Sequence, residues 1–501
     1  MAAVRKSWFG KAVALALLSV PLGSCDKLAG SGPKQVAAAA VGKDAQARAY
    51  YEARGWQAAW DGKAEKALIE ALDGTAAHGL DKDLFLKGEL PEDESAREAA
   101  LTNAALRYAS TLARGYTDPK AIGHVYTLPR PKADVAAGLA KALEEDRLGD
   151  WLNSLAPQTE EYRALSNAFM RAYEQATNGQ AQLVAAGKAI KPGQRDARLP
   201  AIAKALAANG YLAASEGSPQ RYSPELVAAV KRLQADAGLK PDGVIGAGTL
   251  EVLNRGPADR ARQLAVNLER LRWLEREAPA TRIDVNTAAA ELQYWRDGRL
   301  RDRRNTVVGQ PDWETPELHS PMFQLVAHPY WRVPDSILED ELAGKSAAYL
   351  ASQGMEYRDG RLVQLPGPKN ALGQVKFDLK NDQAIYLHDT PAKALFGTPE
   401  RHRSHGCVRV HDALGFALMI ARDDGILPKF QEAMKSEDET FVKMRTEIPV
   451  RLMYRTAFLD KGAVRLVEDV YGWDDDVARA LGYIRPARGP RQHVRGSDVG
   501  P

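Results

Sequence analysis

The hydrophobic period of this chain changes near residue 280, and that change limits what it can fold into. Upstream, apolar residues recur at three-four spacing, as in helices with one buried face. From about Thr281 they alternate, as in strands. At 501 residues the chain is too long for one core, and about three domains are expected. A multi-domain α+β fold follows. Hydrophobic residues at 45% and charged residues at 27% are globular values. A net charge of +3 is near neutral for this size and gives no electrostatic case for a nucleic-acid partner.

The first 25 residues stand apart. Arg5, Lys6 and Lys11 precede an apolar run, Ala12 to Leu18, followed by Leu22-Gly23-Ser24-Cys25. This reads as a secretory signal, and the run is too short to span a bilayer comfortably. Its end resembles a bacterial lipoprotein box, which implies lipidation of Cys25 and a membrane anchor. A plain secretory signal that contains a cysteine is the other reading. Asp26 resembles the enteric signal for retention at the inner membrane. A periplasmic, membrane-anchored protein is expected. Residues 26–44, rich in Ala, Gly, Ser and Lys, read as a flexible tether.

Residues 45–185 read as an all-α scaffold, with helices over Ala45 to Gly55, Lys63 to Leu72, Ala96 to Arg114 and Ala133 to Glu145. Trp56 and Trp60 are read as packing anchors. Residues 194–256 form a second unit, with helices over Leu199 to Asn209 and Pro224 to Gly238. A turn at Asp242-Gly243-Val244-Ile245-Gly246 leads to a third helix capped by Thr249. The order Gly210-Tyr211, Ala229 to Gln234, Gly238-Leu239, Asp242 to Gly246 and Thr249 resembles a three-helix peptidoglycan-binding domain, with Leu233 where that family usually has Phe. Residues 258–280 read as a long charged connecting helix, its charges either a solvated face or, through Arg270-Leu271-Arg272-Trp273, part of a pattern that recurs in the family named below.

The alternating region predicts strands at Ile283 to Val285, Glu291 to Trp295, Leu300 to Val308, Phe323 to Ala327 and Ala384 to Leu387, with a hairpin turn at Asp297-Gly298. Residues 335–368 interrupt it with a helical patch and Pro366-Gly367-Pro368. They are either a lid over a site or an ordinary surface excursion. The tail, 484–501, is rich in Arg, Pro and Gly and reads as disordered.

The chain holds two cysteines. If Cys25 is lost to an export signal or a lipid, Cys407 is the one thiol left, and no disulfide within the chain can form. A lone cysteine in an oxidising compartment suggests retention for its chemistry. It sits in Ser404-His405-Gly406-Cys407-Val408-Arg409-Val410, downstream of Tyr386-Leu387-His388-Asp389. A thiol needs a base or a positive environment to act as nucleophile, and imidazole has a matching pKa. His388 ends one predicted strand and Cys407 opens the next, so the two could meet across neighbouring strands. Gly406 lets successive amides converge as an oxyanion hole. Arg409, on the same strand face as Cys407, could hold a carboxylate. A zinc site from His388, His405 and Cys407 lacks supporting motifs. His402 and His411 read as solvated loop residues.

His388 with the Ser404 to Arg409 run is similar to the signature of bacterial L,D-transpeptidases. The whole chain resembles the large branch of that family, with a helical scaffold, a peptidoglycan-binding domain and a mostly-β catalytic domain (residues 281–475) with a capping insertion. His328 and Arg332 replace two asparagines of the family pattern. The resemblance implies attack by Cys407 on a tetrapeptide stem, release of the terminal D-alanine, and resolution of the thioester by the amine of a second stem as a 3-3 cross-link. His388 would be the base. The amides of Gly406 and Cys407 would hold the oxyanion. His405 would orient the loop or tune the thiolate, and Arg409, Ser404, Trp331 and Tyr386 would bind substrate. No cofactor or metal is implied, and carbapenems are expected to acylate Cys407. Peptidoglycan synthases or D,D-carboxypeptidases are candidate partners. Within the same chemistry the acceptor could be a protein lysine, a free D-amino acid or water. A non-catalytic wall-binding scaffold would not need Cys407 and His388. A cysteine peptidase of the papain or related wall-peptidase groups would place cysteine before histidine in the chain.

Overall fold

A computed structural model describes residues 34–123, 125–178, 183–213 and 219–483. The export signal with Cys25 and Asp26, the first part of the expected tether and the tail 484–501 lie outside the described residues. Residues 34–44 are not a free tether. Val36 donates its N–H to Trp56 O at 2.8 Å, Ala58 donates to Lys34 O at 2.8 Å, and Val36 and Val41 are buried. Two valines in a run of small and polar residues are enough to seat this segment on the helices beside it.

The first helical unit contains the helices Ala45–Ala53, Gly62–Asp73, Glu94–Arg114, Val135–Glu144, Leu148–Leu155 and Glu160–Thr177. Asp44, Asp61, Asp93, Asp134 and Thr159 each accept a first-turn amide, which fixes where five of these helices begin. Trp56 stacks on Tyr51 and Trp60 Nε1 donates to Thr102, as packing anchors do. The second unit is three helices, Leu199–Ala208, Pro224–Asp236 and Ala247–Leu253. Gly246, not Thr249, caps the third. Thr249 is buried, and its hydroxyl faces Val244 O and the amide of Gln234.

The charged helix, Pro257–Trp273, is the central pillar and not a solvated connector. Glu269, Arg270 and Arg272 are all buried. Arg272 pairs with Glu269 at 2.8 Å, and Glu269 also takes the N–H and hydroxyl of Thr117 and the indole N–H of Trp273. Arg270 pairs with Asp474. Buried charges are costly unless paired and hydrogen-bonded, and here Thr117 and Asp474 supply partners from segments far away in sequence. The pillar packs on Glu160–Thr177 and on the helix Asp474–Ala480.

The alternating region forms strands β1 (Arg282–Asn286), β2 (Glu291–Arg296), β3 (Arg299–Gly309), β4 (Leu318–His319), β5 (Met322–Ala327), β6 (Trp331–Arg332), β7 (Met355–Arg358), β8 (Arg361–Gln364), β9 (Val375–Leu379), β10 (Leu387–His388), β11 (His402–Ser404), β12 (Val408–Val410), β13 (Thr440–Ile448), β14 (Val450–Met453), β15 (Ala457–Asp460) and β16 (Ala463–Leu466). The main sheet runs β13-β5-β9-β10-β12-β3-β2-β1-β14-β4, with β11 beside β3. Its core joins Val285, Leu325, Phe377, Leu387 and Val408 to Phe416 and Ile420 of the helix Ala413–Asp423. β10 is shorter than the expected Ala384 to Leu387. The Asn381 side chain takes the N–H groups of Gln383 and Ile385, and Ala384 sits at φ 55°, so pairing starts only after this turn.

The 335–368 insertion carries its own small core of Ile337, Leu342, Leu350, Met355 and Leu362 against Trp331. Helix Asp335–Ile337 runs into a π-helical turn, Leu338–Leu342, followed by helix Ala347–Ser352 and the β7–β8 hairpin, which pairs with β6.

Candidate active site

β10 and β12 are parallel neighbours, with Leu387 opposite Val408 and His388 opposite Arg409. Val408 donates its N–H to Tyr386 O at 3.1 Å, which extends the pairing to Tyr386 and Cys407. Side chains alternate along strands, so Tyr386, His388, Cys407 and Arg409 share one face, while Leu387 and Val408 enter the core on the other.

His388 is fully buried and donates Nδ1–H to the carbonyl of Asp389 at 2.5 Å. A carbonyl can only accept, so in the neutral ring Nε2 is the basic nitrogen. Cys407 is 5% exposed. Burial pushes its thiol from the ordinary 9.0 up to about 11, against the backbone N–H and hydroxyl of Tyr386 and the charges of Lys376 and Arg409, which favour thiolate. The sulfur lies 3.8 Å from Ala384 O, an acceptor for its proton. The resting sulfur is therefore a thiol. Burial also raises Tyr386 well above the usual phenol range, and the nearby Cys407 sulfur adds to it. Tyr386 meets the His388 ring edge-on at 5.6 Å and lies under the Lys376 ammonium at 4.4 Å. It is foremost a partner of the thiol, a role that its sequence position did not suggest.

The turn before Cys407 is held from within. Ser404 is fully buried, and its hydroxyl donates to Cys407 O at 2.6 Å and accepts the Gly406 N–H at 3.2 Å. The hydroxyl thus donates one bond and accepts one within the loop. The Gly406 amide is likewise engaged, so it is not presented as an oxyanion donor. Gly406 has φ 109°, where a side chain is strained, and its carbonyl takes the Thr315 hydroxyl at 2.8 Å. His405 stacks edge-on against Trp313 at 4.9 Å, and its Nε2 meets Glu341 of the insertion at 2.7 Å. His402 is buried, not solvated: its ring joins Glu400 to Thr287 O.

A cleft of about 510 Å³ opens between the insertion and the sheet, lined among others by Trp331, Leu342, Gln364, Lys369, Thr390 and Arg409. Trp331 is 1% exposed, and its indole N–H is buried without a protein acceptor. Arg409 is equally buried and contributes to the cleft wall two residues beyond Cys407. The insertion therefore forms one wall of this cleft. Among the described residues no group of three or more His, Cys, Asp or Glu is placed to hold a metal ion.

Fold and site together define a multi-domain chain whose mostly-β domain sets a thiol and an imidazole on one sheet face. Residues 280–426 match the L,D-transpeptidase catalytic domain, residues 45–169 a scaffold domain, and residues 195–253 a putative peptidoglycan binding domain. The chain thus carries an L,D-transpeptidase catalytic domain together with these two accessory domains. A putative L,D-transpeptidase of Haemophilus influenzae is 30% identical over 240 residues, 43% of this chain and 48% of the relative. The chain spans about half the length of that curated relative. Two crystal structures of L,D-transpeptidases are also similar. That from Xylanimonas cellulosilytica (16% identity, TM-score 0.18) covers 54% of this chain and 99% of its own. That from Stackebrandtia nassauensis (14% identity, TM-score 0.25) covers 55% and 97%.

Proposed function

We propose that this protein is a cysteine L,D-transpeptidase that joins peptidoglycan stem peptides by 3-3 cross-links. The observation that carries the reading is the parallel β10–β12 register, which sets a buried imidazole of defined tautomer and the free thiol on one sheet face. In the first half-reaction His388 Nε2 takes the Cys407 proton as sulfur attacks the carbonyl of the third stem residue. The collapsing tetrahedral intermediate expels the terminal D-alanine, whose amine takes the proton from His388. An amine of a second stem then attacks the thioester, and His388 again moves the proton. The Cys407 amide is the remaining loop donor for the oxyanion. The Tyr386 hydroxyl steadies the sulfur, and Arg409 receives a substrate carboxylate in the cleft.

The three-helix domain keeps the chain on the wall polymer, and Cys25 anchors it by lipid on the periplasmic side of the membrane, with Asp26 favouring the inner one. Peptidoglycan synthases or D,D-carboxypeptidases supply the tetrapeptide donors. Incubation with a carbapenem followed by peptide mass spectrometry tests the assignment. One adduct per chain on Cys407 is expected; an adduct elsewhere, or none, overturns it.

A further inference from the structure

The insertion reaches the nucleophile turn through one side chain. Glu341 lies on the π-helical turn Leu338–Leu342, whose flanks Ile337 and Leu342 are sunk in the insertion's own core. Such wide turns re-aim side chains and concentrate at functional positions. Its Oε1 meets His405 Nε2 at 2.7 Å, and the His405 side chain is 7% exposed. Trp313, from the loop after β3, stands edge-on to the same ring at 4.9 Å. The imidazole is thus gripped by the sheet domain and by the insertion. The peptide that follows it, Gly406, is at φ 109° and leads straight to Cys407.

The pair is a poor device for stability alone. Glu341 Oε2 is buried with no hydrogen-bond partner. An enclosed carboxylate oxygen left unmatched is unfavourable, and local violations of this kind are expected where function requires them. The same insertion also walls the cleft through Leu342 and Gln364.

We propose that Glu341 is a positioning residue: by holding His405 it fixes the Gly406–Cys407 turn when the insertion is seated, so that covering the cleft and completing the nucleophile turn are one event. This rests on Cys407 as the nucleophile. A carboxylate can only accept, so the contact needs a proton on His405 Nε2, which removes that nitrogen as a competing base and leaves the proton transfer to His388.

The test is the rate of iodoacetamide alkylation of the full chain, read by mass spectrometry on the peptide containing Cys407. This reads the thiol whether or not the chain transfers stems, so a failure here is distinct from a failure of the proposed function. Losing the Glu341 contact frees His405 and with it the Gly406–Cys407 turn, so the buried thiol opens to reagent more often. Glu341→Ala and His405→Ala are each expected to raise the rate at least about fivefold. Glu341→Gln, which keeps an acceptor oxygen, should stay within about twofold of the parent. The double variant Glu341→Ala/His405→Ala should react no faster than the faster single variant, because both break one contact. In a stem-transfer assay Glu341→Ala should lower kcat about tenfold or more with KM nearly unchanged, and Glu341→Gln should restore most of it. Parent-like alkylation in both single variants, or additive effects in the double, overturns the proposal.

Discussion

Replacing Ser404 with alanine tests how the nucleophile turn is built. The hydroxyl is fully buried and serves two backbone groups, the Cys407 carbonyl at 2.6 Å and the Gly406 N–H at 3.2 Å. Alanine leaves both unpaired in a site without room to bring them to the surface. Each such orphan costs ~1–3 kcal/mol, partly offset because the hydroxyl itself no longer needs desolvating. A net loss of about 2 kcal/mol in local stability follows, equivalent to roughly 30-fold faster amide hydrogen exchange. Exchange should be read by mass spectrometry on the peptide spanning 404–408, with the helix Ala413–Asp423 as internal reference. Thr315→Val removes the hydroxyl given to Gly406 O at 2.8 Å and should act in the same direction. Parent-like exchange at 404–408 in both variants would refute the reasoning, since the turn would then be held by something other than these two hydroxyls.

Three further outcomes follow from the same structure. The rate of Cys407 alkylation should climb about tenfold per pH unit up to pH 10, in keeping with a thiol raised to about 11; a plateau near neutral pH would instead mean a preformed thiolate. His388→Gln should slow carbapenem acylation ~10²–10⁴-fold, and an unchanged rate would move the base to His405. Burial raises Glu317 from the ordinary 4.5 to about 7, with Arg270 opposing, so the native state keeps a proton that the unfolded chain has lost between these values. Its contribution is fully present below pH 4.5 and is lost as pH rises through 7. Glu317→Gln should therefore gain stability over the parent by up to about 3 kcal/mol at pH 8 and little at pH 4.5 in calorimetry, and a difference that does not vary with pH would count against this.

How much of this was legible in the sequence varies with how local the signal is. The change of period at Thr281 is local, and so is the Ser404 to Arg409 run that carries the thiol; the cap read at Thr249 was not, because Gly246 begins that helix and Thr249 turns inward to Val244 and Gln234. The shortening of β10 was less so, because it depends on Asn381 folding its side chain back over Ile385. The burial of Glu269, Arg270 and Arg272 was hidden, since a charged helix with remote partners looks like a solvated one until Thr117 and Asp474 are placed beside it. The Ser404 contacts were hidden for a related reason: a serine next to a nucleophile suggests substrate, and only the fold shows its hydroxyl bonding within the turn. Glu341 sits in an ordinary acidic run, Glu339-Asp340-Glu341, and only the fold brings it to His405.

The central claim is acyl transfer from a stem peptide through Cys407. It is tested most directly by incubating the full chain with purified disaccharide-tetrapeptide, quenching in acid, and following products by mass spectrometry. The account predicts a stem thioester on the Cys407 peptide, one D-alanine released for each 3-3 dimer formed, and loss of all three signals in Cys407→Ala. D-alanine release or dimer formation that persists in Cys407→Ala would contradict it.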